Sequence, residues 1–324
     1  MANNINFGKI YDSTWWGVGV TSNNINWGKS YLDLAGGGDE RFIITVKTDN
    51  AGTSATNQFT LPISTSGITQ AFLYDIETSD GQTITGLTTG TTITFPTAGT
   101  YDIFISGSFP QCYFNDTGDK LKLLDIKNFG IYALGSTDQE RAFRGCSNMV
   151  ISATDVGYFG DVTSFVRTWQ NCSSLTSFPL IDTSNGTDFS VSWSSCTSLT
   201  SFPLIDISNG TNFNNTWLFC TSLTSFPLLD TSNGTNFTQT WSFCTSLTSF
   251  PANAFDANIA TIYTNSFNTT NLTTQSIDDI LVSLVASGVS NGTFDQSGGQ
   301  GPSATGQTAI ATLTNRGWTI QTTT

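Results

Sequence analysis

The sequence predicts a mainly β chain with short helices, built around a solenoid of repeated windings and closed by an α/β cap. Three observations predict it. Tryptophan and cysteine return every 24 residues through the centre of the chain, and a fixed period of roughly 20–50 residues marks stacked supersecondary units. Ahead of the repeat, short apolar or alternating runs are separated by turn residues, as in strands. Behind it the period stops, and two helical patterns and a short strand follow.

Composition bounds the function. Hydrophobic residues make up 38% and aromatics 12% of the 324 residues, enough for real cores and too many for a disordered chain. Charged residues are only 11%, and the formal net charge is −13. From Gln170 to Asn315 there is no Lys or Arg, against eight Asp. Such a surface repels phosphate backbones, so neither nucleic acid nor an anionic membrane is an expected partner. The chain has no histidine, the commonest general base and metal ligand. No apolar run approaches the length of a membrane span, so membrane insertion is not expected. The opening MANNINFGKIYDSTWW lacks a charged segment followed by an apolar one. Folding in the cytoplasm without export is therefore expected.

Residues 1–40 come first. NINFGKIY (4–11) returns as NINWGKSY (24–31). Either this is an irregular arm packed on the next domain, or it is an anchoring arm. In the second case Phe7, Tyr11, Trp15, Trp16, Trp27 and Tyr31 are the aromatics that dock onto a partner. Such Asn/Gly/aromatic leaders resemble the virion-attachment ends of phage fibre and decoration proteins.

Residues 41–115 read as a β-sandwich. FIITVKT (42–48), QAFLYDI (70–76), TTITF (91–95) and TYDIFISG (100–107) have strand length and patterning. PTAGTYDIFISG resembles the closing hairpin of PKD-like, immunoglobulin-type sandwiches, and YDIETSDG stands where that family has its Asp-Gly turn.

Residues 116–272 carry the repeat, with 116–140 expected as the coil that opens it. Trp169, Trp193, Trp217 and Trp241 are each three residues ahead of Cys172, Cys196, Cys220 and Cys244. Leu175, Leu199, Leu223 and Leu247 follow, then Phe178, Phe202, Phe226 and Phe250, each before a proline. Phe189, Trp193 and Cys196 are spaced as one helical face, SLTSF reads as a short strand stopped by Pro203, and Asn-Gly at 185–186, 209–210 and 233–234 reads as a tight turn with positive φ. One winding cannot bury its own apolar residues, so stacking must turn them into internal ladders. The cysteines hold equivalent positions without a CxxC pair or histidine, and so read as buried free thiols, not as disulfides or zinc ligands.

The pattern F-x-x-C-x-x-L-x-x-F, clearest near RAFRGCSNM (141–149), resembles the BspA-like leucine-rich-repeat family over about 141–272. That resemblance implies a leucine-rich-repeat-type solenoid serving adhesion, with no catalytic site and no cofactor. The chain departs from it by using Trp for Phe and by lacking a secretion signal.

Residues 273–324 complete the chain as an α/β C-terminal cap. Ser276 with Asp279 reads as a capping box, followed by a second helix near 304–315 and the strand GWTIQ.

Candidate chemistry lies in rows. Asp182, Asp206, Asp230 and Asp256 line up along the repeat. Each could cap its own turn, the row could hold calcium, or pairs could act as glycosidase acids. Equivalent surroundings argue against the last, because nothing separates acid from base. Thr176, Thr200, Thr224 and Thr248, with Leu218, Phe219 and Phe243, are the candidate receptor contacts. GxSxG, P-loop, HExxH and dinucleotide motifs are absent.

The expected function is that of a non-enzymatic phage structural protein, a tail or head fibre or a decoration protein. It attaches to other virion proteins by its N-terminus and shows the repeat to a host-surface glycan or protein, with room for a homo-oligomer. A cellular BspA-like adhesin and a glycan-degrading tailspike are the alternatives.

Overall fold

A computed structural model describes residues 39–323, which form one compact unit. The six anchor candidates of the N-terminal arm lie outside the described residues. The unit is mainly β with two α-helices.

Its first part is a six-stranded sheet in the order β4-β3-β6-β1-β7-β8. The strands are β1 (Phe42–Lys47), β3 (Leu73–Thr78), β4 (Thr83–Leu87), β6 (Thr100–Ser108), β7 (Leu123–Asn128) and β8 (Val150–Ile151). A two-stranded sheet pairs β2 (Gln58–Leu61) with β5 (Thr91–Thr94). Alternation explains the burial: Phe42, Ile44 and Val46 of β1 and Tyr74 and Ile76 of β3 point inward with Phe59, Leu61 and Ile93. Within residues 41–115 two strands escape the sequence reading, and β7 lies in the stretch expected as the opening coil of the repeat. β2 is only four residues long, and β4 contains Gly86 at φ +70°, which reads as a turn.

Hydrogen bonding crosses from the sheet into the repeat. β1 pairs with β7, and β7 pairs in parallel with β8 inside the first windings. A buried ion pair fastens the same junction. The Lys122 ammonium donates to Ser54 Oγ and to the carbonyls of Ala55 and Gln58 at 2.7, 2.9 and 2.8 Å. Asp119, 3.9 Å from it, accepts from the N–H groups of Thr53, Ser54 and Thr60.

The windings depart from expectation in their backbone. The segment around Phe189, Trp193 and Cys196 is not helical. The N–H groups of Phe189, Val191, Trp193 and Ser195 leave their own winding and donate to the carbonyls of Asn212, Asn214, Thr216 and Leu218 at 3.0, 2.9, 2.9 and 2.7 Å. Between them, the Ser192 and Ser194 N–H groups close three-residue-offset turns onto Phe189 and Val191, and the Ser190 N–H donates to the Asp188 carboxylate. Left-handed residues make this alternation possible. Val191 and Ser195 have φ of 62° and 63°, and Asn215, Phe219, Gln239 and Phe243 repeat them. Flipping every fourth residue in this way turns alternate N–H groups toward the next winding, whereas an α-helix would keep them all internal.

The expected strand SLTSF is likewise irregular, apart from one bridge between Ser225 and Ser249. Parallel bridges run instead through Ser164, Asp188, Asn212, Asn236 and Ile262. The Asn-Gly pairs are not left-handed either. Gly186, Gly210 and Gly234 are needed because a Cβ there would stand 2.4 Å from the ring of Phe189, Phe213 or Phe237.

The last winding enters a parallel three-stranded sheet of β9 (Ile262–Phe267), β10 (Thr293–Gln296) and β11 (Thr319–Gln321). Helices α1 (Thr274–Ala286) and α2 (Ala304–Asn315) accompany it. Helix α1 starts earlier than Ser276 and Asp279 suggest: Thr273 is the N-cap and accepts from the Ser276 N–H. Ser276 is instead buried and donates its hydroxyl to the Thr248 carbonyl.

Candidate functional site

The interior of the windings is a set of columns. Trp169, Trp193, Trp217 and Trp241 are buried and stack with ring centroids 5.3, 5.7 and 5.8 Å apart, within 11° of parallel. Phe178, Phe202, Phe226 and Phe250 form a second column whose rings meet the indoles edge-on. Among the described residues the four indole N–H groups have no oxygen or nitrogen acceptor. The indoles pack instead against aromatic rings, which accept only weakly.

All six cysteines are buried and free. Four of them donate to a carbonyl of the preceding winding: Cys172 to Phe143, Cys196 to Trp169, Cys220 to Trp193 and Cys244 to Trp217, at 3.2–3.3 Å. Burial pushes these thiols up, Cys220 to about 12. They stay protonated and weakly nucleophilic at neutral pH.

A third column was not read from the sequence. Thr168, Ser192, Thr216, Thr240 and Ser266 are fully buried, and each hydroxyl donates back to a carbonyl of the winding before it. Its signal was available, since a hydroxyl residue precedes every aromatic of the main column.

Outside, the rows singled out by sequence are met one by one. Asp182, Asp206 and Asp230 are exposed, and each accepts from the N–H two residues ahead at 2.9–3.0 Å, at Ser184, Ser208 and Ser232. Such closed turns consume one carboxylate oxygen. Asp256 differs: it accepts from Ser283 of α1 at 2.6 Å. Among the described residues no three His, Cys, Asp or Glu side chains gather in a group able to hold a metal ion.

Thr176, Thr200 and Thr224 are exposed and Thr248 half-buried. The hydroxyls of Thr200, Thr224 and Thr248 donate to the carbonyl of the threonine below at 3.2–3.4 Å. Their protons are thus used internally, and the row offers acceptor lone pairs to solvent. Phe219 is 41% exposed and stacks on half-buried Phe243 at 4.7 Å, with Leu218 half-buried beside them. Both phenylalanines are left-handed, at positions where the earlier windings carry Ser195 and Asn171.

One further row escaped the sequence reading. Leu180, Leu204 and Leu228 are 59%, 69% and 54% exposed, although every other leucine of these windings except half-buried Leu218 is buried. The row ends at a groove of about 380 Å³ bordered by Leu228, Asp230, Asn253 and Asp256, where Ala252 stands in place of leucine.

No family model, curated protein or solved structure matches the chain.

Proposed function

We propose that the chain is a non-enzymatic structural protein of a phage particle, a tail or head fibre or a decoration protein. On this reading the windings are a solenoid of leucine-rich-repeat type, β1–β6 an immunoglobulin-like sandwich, and the aromatic N-terminal arm the anchor to other virion proteins. The repeat is then the part that meets a host-surface glycan or protein. The observation that carries the reading is the identity of successive windings. The outward aspartates at 182, 206 and 230, threonines at 176, 200 and 224 and leucines at 180, 204 and 228 recur in like surroundings on a filled, aromatic interior. A reaction needs one position unlike its neighbours, whereas recognition of an extended surface gains from repetition.

Electrostatics supports the same direction. The buried thiols are held protonated, and the carboxylates of the Asp row are engaged by equivalent backbone N–H groups. Lone pairs of the threonine row face outward, which suits donors such as sugar hydroxyls.

The test is mass spectrometry and immunogold labelling of purified particles, with antibodies raised against residues 163–268. The expected result is the chain in stoichiometric amounts, labelled away from the particle body. Absence from particles, with label on the surface of uninfected cells, would favour an adhesin. Release of oligosaccharides from host glycans would favour a depolymerising spike.

A further inference from the structure

The exposed leucine row has a shape and a setting. In its first two windings the N–H of the residue after the leucine bonds the carbonyl of the proline before it, Ile181 to Pro179 at 3.1 Å and Ile205 to Pro203 at 3.0 Å. Leu180 and Leu204 therefore sit at the apex of a tight three-residue turn and project from the face. Val156 stands 24 residues before Leu180 and is 53% exposed. The windings keep that offset here, since Asn185 Nδ2 donates to the Gly160 carbonyl as Asn209 Nδ2 does to Ser184. The result is an apolar ridge over four windings. Exposed threonine and serine (Thr176/Ser177, Thr200/Ser201, Thr224/Ser225) lie on one side of it, and Asp182, Asp206 and Asp230 on the other.

Contiguous apolar ridges of this kind are uncommon on a surface that is not an interface. We propose that a second copy of the same chain covers this ridge, the two copies lying parallel with their windings in register. The proposal deepens the fibre reading and rests on it for the shared direction of the N-termini. Three points choose the occupant and its orientation. The partner must present apolar side chains at the spacing of the windings, and a second copy does so by construction. A two-fold axis along the stack places the aspartate rows on opposite edges of the contact, each toward the other copy's exposed Ser177, Ser201 and Ser225, whose hydroxyls can donate to a carboxylate. An axis across the stack would lay carboxylate row on carboxylate row, in a region without Lys or Arg. Finally, four windings about 5 Å apart and some eight residues wide bury roughly 1,000 Å² in total, the lower limit for a specific interface. Pairing is then weak between free chains and strong between chains tethered at one end.

Sedimentation velocity of the full chain over a concentration series tests this. The expected result is a reversible dimer with a dissociation constant on the order of 0.1 mM. Raising the salt concentration should strengthen it, because the contact is apolar and the chains are both acidic. Leu204→Lys should weaken it by roughly tenfold or more, with near-ultraviolet circular dichroism unchanged because Leu204 is exposed. Orientation is read by cross-linking. Asp206→Cys mixed with Thr200→Cys should form a mixed disulfide, and Asp206→Cys alone should not. A strictly monomeric chain, a dimer indifferent to Leu204→Lys, or efficient Asp206→Cys self-linking would each overturn the proposal. A monomer that is nevertheless found in particles would remove the pairing and leave the fibre reading standing. Absence from particles with the dimer intact would do the reverse.

Discussion

The sheet region (residues 42–128) and the windings (163–268) are held together by different forces. In the first, antiparallel ladders are joined by charge. Lys127 pairs with Asp102 at 2.8 Å, and the Lys122–Asp119 pair is buried at the junction. All but one of the 11 Lys and Arg of the chain lie at or before Arg167. In the windings, cohesion comes from stacked rings, buried hydroxyls and thiols, and backbone bonds that run both ways between successive windings. The difference teaches that a repeat can dispense with ion pairs. Most of what a winding offers its neighbour is neutral backbone, hydroxyl and thiol groups, and charges of like sign stacked at every level would repel.

The largest effect that would break this contrast lies in the indole column. Trp217→Ala removes a ring sandwiched between Trp193 and Trp241 and edge-packed by Phe202 and Phe226. Chemical denaturation should show a loss of about 3–5 kcal/mol. A loss under about 1 kcal/mol would mean that the column contributes no more than surface residues do.

The sheet region has its own counterpart. Lys122→Met leaves the Asp119 carboxylate buried without its cation and strands the carbonyls of Ala55 and Gln58, and should cost about 3–5 kcal/mol. Double replacement by apolar residues of similar volume should recover a good part of that loss, which no apolar repair of Trp217→Ala would mimic.

The sheet region carries the acid-sensitive carboxylates, while the alkali-sensitive buried thiols concentrate in the windings, with Cys112 the exception in the sheet region. Burial would raise Asp102 and Asp119. For Asp102 the bonds from Lys127 and Thr45 outweigh it, and for Asp119 those from Ser54 and Thr60, so both sit below the usual carboxylate range. Their contribution is present above the unfolded carboxylate value and is lost as pH falls through the lowered folded values. The thiols run the other way. Burial raises Cys146, Cys172, Cys196, Cys220 and Cys244, so their contribution is whole below the unfolded thiol value and is lost as pH rises past it. Above about pH 9 stability should fall by roughly 1.4 kcal/mol per thiol for each pH unit. Tryptophan fluorescence, to which the four stacked indoles of the windings contribute, should report the alkaline loss. Cys→Ala replacement of the column should flatten it.

The central columns were legible in the sequence because a stacked repeat must carry matching side chains at matching heights. Trp193, Cys196, Leu199 and Phe202 declare that by identity alone. The backbone between them was not legible. A spacing of four and seven is shared by an α-helix and by two turns joined through left-handed residues. Val191, a β-branched residue at φ 62°, gives no local hint of the second. It is held there by its bond to Asn214, which belongs to the next winding. The leucine ridge was missed for a related reason. Leu180 is as periodic as Leu175, and periodicity does not say which side faces water.

The smallest effect sharpens the outer rows. Asp206→Ala removes the carboxylate that closes the turn to Ser208 and should cost about 0.5–1 kcal/mol, since the turn is exposed. Thermal denaturation with and without calcium chloride should give the same difference if the row serves the turns alone. A calcium-dependent difference would assign the row to ion binding.

The most direct measurement is thiol labelling of the folded chain, with the modified residues located by mass spectrometry. If like side chains pile up in a dry interior, none of the six cysteines reacts with a small alkylating reagent under native conditions, and all six react in denaturant. Rapid native labelling of Cys196 or Cys220, at the centre of the column, would contradict the account.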